Sequence, residues 1–93
     1  MGASPYKLRT KNKDHYYKTE NIPKSDYESL VGTAFICKGS GASGEHTGLV
    51  LSVDVEKGTF MTLEGNSNNM VRTQERKISD MYGFVDFSYL YNV

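Results

Sequence analysis

A single cysteine, Cys37, stands among the 93 residues. It has no partner for an intrachain disulfide, and no Cys/His cluster supplies the three or four ligands of a zinc site, so a disulfide scaffold and a zinc module are both excluded. Long apolar runs are missing as well, since ~20 consecutive apolar residues are needed to span a bilayer and the runs here are a few residues long. The N-terminus lacks the apolar h-region of a signal peptide, so a soluble chain is expected, with any export taking another route. An excess of one charge is also absent: 11 Lys+Arg face 11 Asp+Glu, and the pI is about 6.7. That balance removes the attraction on which non-specific nucleic-acid or anionic-membrane binding relies, so neither a nucleic-acid partner nor a membrane span is expected. No internal repeat is visible. No metal or other cofactor is expected.

Ninety-three residues correspond to one domain with one core. Composition changes near residue 30. Residues 1–30 are polar, rich in Lys and Tyr and aperiodic, and read as an N-terminal arm. Ser25-Asp26-Tyr27-Glu28 resembles a capping box after Pro23, which predicts at most one short helix near 25–30. Residues 4–20 are open to three readings: a partly ordered arm, which is favoured, a strand added at a sheet edge, or the stub of a longer parent chain.

Residues 31–93 read as an antiparallel β-sheet domain, because short β-prone runs are bounded by Gly, Ser, Asn and Asp. Five runs are predicted, from Val31 to Lys38, Thr47 to Val55, Thr59 to Glu64, Val71 to Ile78 and Tyr82 to Phe87. The fold expected is mainly β, five-stranded and antiparallel, curled into a small, partly open barrel. In the second run, Thr47, Leu49, Leu51 and Val53 form the more apolar alternate stripe and are the expected interior. His46, Gly48, Val50 and Ser52 then point to the other face, which the arm or a partner would cover.

A short turn at Glu56-Lys57-Gly58 joins the second run to the third, so their far ends must meet. If Val55 pairs with Gly58, His46 lies opposite position 67, and a shift of one residue either way puts it opposite Asn66 or Asn68. His46, Glu64 and Asn66 thus converge at one rim in any of these registers, with opposite residues ~5 Å apart and diagonal ones ~7 to 8 Å. An imidazole with one nitrogen held by Glu64 or Asn66 has a fixed tautomer and leaves its other nitrogen free as a general base. The plainer alternative is a solvated histidine beside a turn-rich loop.

The stretch Glu45-His46-Thr47-Gly48-Leu49-Val50, followed by Thr62-Leu63-Glu64-Gly65-Asn66-Ser67-Asn68, Val71-Arg72 and Gly83-Phe84-Val85, resembles the C-terminal half of CHAP domains. These are the cysteine, histidine-dependent amidohydrolase/peptidase domains of the papain-like superfamily, of α+β fold, which cleave peptidoglycan amide bonds in bacteria and phages. The likeness covers about residues 31–87. It implies His46 as general base, Glu64 as the residue that orients it and Asn66 as a supporting polar group. The family's nucleophile is a cysteine at the start of a helix preceding the sheet, and residues 1–30 contain no cysteine. The resemblance therefore implies the sheet half of a peptidoglycan-cleaving amidase or endopeptidase, inactive alone, acting at the bacterial cell wall. Its partners would be a peptidoglycan peptide or a complementing helical half that carries the cysteine.

Cys37 is the one thiol available to substitute. Pairing Cys37 with His46 puts both side chains on one face, whereas pairing Lys38 with His46 puts the thiol on the other. The alternative role of Cys37 is a small buried hydrophobe in a strand, away from the helix dipole that activates a papain-like thiol. His15 is a lone histidine in the polar arm. Lys7, Arg9, Lys11, Lys13 and Lys18, interleaved with Tyr6, Tyr16 and Tyr17, read as a solvated arm. Tyr82, Phe84, Phe87, Tyr89 and Tyr91 either finish the core or line a sugar or peptide groove. Two further readings of the whole chain stand beside the catalytic one: a wall- or protein-binding module without catalysis, and an inert domain that dimerises through an open strand face.

Overall fold

The computed structural model describes residues 15–39, 44–65 and 70–87. The arm before residue 15, the glycine-rich link at 40–43, the loop at 66–69, and Tyr89 and Tyr91 lie outside the described residues. The described part is mainly β: six strands, β1 (Tyr16–Lys18), β2 (Ala34–Lys38), β3 (Glu45–Asp54), β4 (Thr59–Gly65), β5 (Val71–Lys77) and β6 (Met81–Val85), form one sheet in the order β1-β6-β2-β3-β4-β5. Every neighbouring pair is antiparallel. A seven-residue 3₁₀ segment at Lys24–Leu30 is the one short helix beside two three-residue turns. It starts after Pro23, which has extended backbone and no side-chain cap bond, so Ser25 does not act as the expected cap. No helix among the described residues is long and apolar enough to cross a membrane.

Two features of the expected architecture are corrected. The sheet has six strands rather than five, because Tyr16–Lys18 pairs with β6 in the register Tyr16↔Val85, Tyr17↔Phe84, Lys18↔Gly83. Tyr16 supplies the reason: its side chain packs on Ala34, Ile36 and Val85, a small cluster that would otherwise face water. The sheet is also open rather than barrel-like, with β1 and β5 as its two edges. The link from β5 to β6 is the three-residue turn Ile78–Asp80. The Ile78 N–H donates to the Gly58 carbonyl at 2.9 Å, and its side chain is buried in the inner core. The chain therefore crosses beside the β3–β4 turn without laying β5 against β6.

The larger core, on the inner face, joins Phe35 and Cys37 of β2, Val50 of β3, Phe60 of β4 and Met81 and Phe84 of β6 with Leu30 and Ile78. Its aromatic spine runs through edge-on contacts, with ring centroids 5.5 Å apart for Phe35–Phe60 and 5.8 Å for Phe60–Phe84.

The expected facing of β3 is reversed over most of its length. Val50 is 2% exposed, whereas Leu49 and Leu51 are 43% and 45% exposed. The cause is a bulge. Near the turn the pairs are Asp54↔Thr59, Val53↔Phe60 and Ser52↔Met61, but the next is Val50↔Thr62 and then Leu49↔Leu63. One extra residue on β3 turns Thr47, Leu49 and Leu51 off the inner face, while Val53, on the turn side, still packs against the inner core.

Gly48 is where the inner face is tightest. It pairs with Phe35, and a Cβ there would lie 2.8 Å from Phe35 Cε2, 2.8 Å from the Leu63 carbonyl oxygen and 2.9 Å from Glu64 Cγ. Gly48→Ala is expected to lower stability by about 1–3 kcal/mol through overpacking against backbone and ring. Leu51→Ala, on the exposed side of the bulge, is expected to cost under ~1 kcal/mol, against about 3–5 kcal/mol for Phe60→Ala in the core. Urea unfolding of the three variants checks both the tight approach and the facing.

Candidate functional site

The pairing that follows the bulge puts Glu64 on the same face as Gly48 and His46, and the side chains meet. His46 Nε2 lies 2.7 Å from Glu64 Oε1. Arg76 of β5 donates from Nε to Glu64 Oε2 at 2.6 Å and from Nη2 to Oε1 at 2.9 Å, a two-pronged grip. The Thr62 hydroxyl donates to Oε2 at 2.6 Å. Three strands thus send four hydrogen bonds to one carboxylate, which is 6% exposed.

Phe35 forms the floor. Its ring centroid is 5.9 Å from that of His46 and 5.4 Å from Arg76 Cζ, within reach of a cation–π contact. Gly48, between Phe35 and Glu64, leaves the space that lets ring and carboxylate close on each other.

The electrostatics follow from this packing. Burial alone would raise the Glu64 pKa, but the hydrogen bonds from Arg76, Thr62 and His46, together with the Arg76 charge, overcome it and bring the value down to about 2. Glu64 is therefore ionised at neutral pH and can only accept hydrogen bonds. His46 Nε2 must carry a hydrogen to make its bond, so in the neutral ring Nδ1 holds the lone pair. The ring is 33% exposed, so an incoming proton donor can reach it. The carboxylate thus sets the tautomer and orientation of the imidazole, which is the arrangement that general-base chemistry requires.

Of the residues singled out in the sequence, His46 and Glu64 are brought together. Asn66 lies outside the described residues. The pairing question for Cys37 is settled: it sits directly opposite His46, so both side chains share the inner face. No hydrogen bond joins them, and the thiol is buried, with its pKa pushed up mainly by that burial. Such a thiol is a poor nucleophile at neutral pH. His15 opens the described chain, its carbonyl accepting from the Asp86 N–H at 2.9 Å beside β1. Among the described residues no group of three or more His, Cys, Asp or Glu side chains could hold a metal ion.

The residue that the sequence reading missed is Arg76. The signal was present in the alternation of β5, where Arg72, Gln74 and Arg76 share a face and Gln74 and Arg76 are half-buried. Polar side chains on the inner face of a strand require a buried partner, and Glu64 is the acid within reach.

Glu64 has a lowered folded pKa, so its stabilisation is fully present above its ordinary 4.5 and is lost as pH falls through about 2. Glu64→Gln is expected to lower the melting temperature at pH 7 by several degrees, because it removes the negative charge and turns one of the two oxygens that accept from Arg76 into a donor. The same variant should also flatten the pH dependence of stability between 4.5 and 2. Thermal unfolding of the native and variant chains across that range measures both effects.

Comparison with protein-family models, with curated proteins and with solved structures finds no match for this chain.

Proposed function

We propose that this chain is the base-bearing sheet half of a cysteine amidohydrolase/peptidase of CHAP type, acting on peptidoglycan amide bonds together with a helical half that carries the nucleophile. The observation that supports this reading best is the 2.7 Å bond from His46 Nε2 to Glu64. Glu64 is itself gripped by Arg76 and Thr62, and the whole arrangement stands at a partly exposed edge of the inner face.

In this reading a cysteine from the complementing half transfers its thiol proton to His46 Nδ1, and the thiolate attacks the scissile carbonyl carbon. The imidazolium then returns the proton to the leaving amine as the C–N bond breaks. Water, deprotonated by the same nitrogen, hydrolyses the thioester and restores the thiol. Glu64 takes no proton in this cycle, since its pKa of about 2 keeps it anionic. It holds the ring and stabilises the imidazolium. Cys37, buried with a raised pKa, is not the nucleophile.

The test is reconstitution. The chain alone is expected to release no new amines from purified peptidoglycan. When it is mixed with a folded helical half of a cysteine amidohydrolase that lacks its own sheet, cleavage is expected to appear. His46→Ala should reduce that cleavage by about 10²–10⁴-fold, the usual contribution of a positioned base, whereas Cys37→Ser should leave it unchanged. A complex that forms by mass yet cleaves nothing, or cleavage that survives His46→Ala, overturns the proposal.

A further inference from the structure

His46 and Arg76 meet at a single atom. His46 Nε2 lies 2.7 Å from Glu64 Oε1, and Arg76 Nη2 donates to that same oxygen at 2.9 Å. Two donors so close to one acceptor put an imidazolium and the guanidinium inside the ~4–6 Å over which like charges disfavour one another. A carboxylate beside a histidine draws a proton onto the ring. At neutral pH that pull works against a general base, which has to be uncharged before it can accept a proton. A cation on the same oxygen pushes the other way.

Arg76 is held in place by groups other than His46. Its Nε donates to the second carboxylate oxygen at 2.6 Å, and its Cζ lies 5.4 Å from the Phe35 ring centroid. Gln74, two residues earlier on β5 and on the same face, accepts from Nη2 at 2.7 Å with its amide oxygen turned toward the guanidinium. The Arg76 side chain is 25% exposed, so solvent screens its charge only in part.

No other described neighbour of the ring supplies this balance. Cys37, directly opposite on β2, is buried with a raised pKa and is uncharged at neutral pH. Glu45, adjacent on β3, and Lys38 are register partners on the opposite face of the sheet. Arg72 lies across from Glu64 on β5 but is exposed, where solvent weakens its effect. From the β6 side, Met81 stands opposite Cys37 and carries no charge, while the exposed Asp80 acts on the thiol.

We infer that Arg76 is a positioning residue for His46: through the shared Glu64 Oε1 it offsets the carboxylate's pull on a proton and favours the uncharged ring whose Nδ1 accepts one. The inference rests on the proposed catalytic role only in naming that ring a base. The charge balance itself is measured without substrate.

The test follows the His46 Cε1 proton by NMR against pH in the whole chain, with His15→Gln to assign the two histidine signals. Arg76→Gln is expected to raise the His46 midpoint by about one pH unit, a tenfold change in the ratio of charged to neutral ring. Glu64→Gln is expected to lower it, below the midpoint of His46 in the urea-unfolded chain, because Arg76 is then unopposed. Arg76→Lys keeps the charge and should stay near the native midpoint. A cluster that merely loosens would give both Gln variants one common midpoint, that of a solvated imidazole. Should Arg76→Gln fail to fold, the direction of the Glu64→Gln change decides. In the reconstituted enzyme the acid limb of the pH–rate profile should move up with Arg76→Gln by the same amount. A complex that never cleaves removes the catalytic reading and leaves the titration standing, so the two failures are distinguishable. An Arg76→Gln midpoint at or below the native one, a Glu64→Gln midpoint at or above the unfolded one, or a midpoint common to both overturns the inference.

Discussion

The carboxylate of Glu64 is the constraint around which the inner face is arranged. An ion buried without partners costs several kcal/mol, and this one is relieved by four hydrogen bonds from His46, Thr62 and both arms of the Arg76 fork. Those donors come from β3, β4 and β5, so the same interaction that satisfies the charge also ties three strands together across their inner side. It demands room, which the missing side chain of Gly48 provides. It demands a floor, which Phe35 provides by lying against both His46 and Arg76. Arg76 also decides what Glu64 can do chemically. Gripped by a guanidinium, the carboxylate is too weak a base to exchange protons near neutral pH and is left to accept hydrogen bonds, the one from His46 among them.

The inertness of Cys37 follows from the same geometry. Cys37 lies across from His46 on the same face, yet it belongs to the packed core with Phe35 and Met81. Burial raises its pKa, and the charges of Glu64 and Asp80 push the same way, against the opposite pull of Arg76. A strand supplies no helix N-terminus to favour the thiolate. What makes Cys37 a good core residue makes it a poor nucleophile, and in the proposed hydrolase the thiol that uses His46 therefore comes from outside this sheet.

Much of the fold was legible in the sequence because turns and alternation are local. All five predicted runs contain strands, the β3–β4 hairpin keeps the turn register expected from Val55 and Gly58 as far as Ser52↔Met61, and His46 and Glu64 come to the same rim as their positions require. Three things were not legible. β1 is three residues long, and its formation depends on Tyr16 finding Ala34, Ile36 and Val85, residues far away in sequence. The Arg76 fork depends on a diagonal approach across β4 and β5 that no spacing along one strand reveals. The facing of β3 is hidden because Leu49 and Leu51 make the more apolar stripe, whereas pairing geometry and not hydrophobicity decides the face.

The reversed facing is the work of the β3 bulge. Had the register at the turn continued, Asp54↔Thr59 would have led to Leu49 opposite Glu64. Opposite residues share a face, so Glu64 would have pointed the same way as Leu49 and away from His46. Convergence of the two residues at one rim is thus insufficient for chemistry, because rim position fixes proximity while parity fixes the face. The extra residue between Val50 and Ser52 changes the parity of β3 alone and leaves β4 regular, with Phe60, Thr62 and Glu64 all buried on the inner side. It keeps Val53 and Val50 both facing the core and carries Gly48 and His46 to the face where Glu64 and Arg76 stand. The cost is the exposure of Leu49 and Leu51. A strand optimised only for burial would have kept those leucines inside, and the ionic cluster would not have formed.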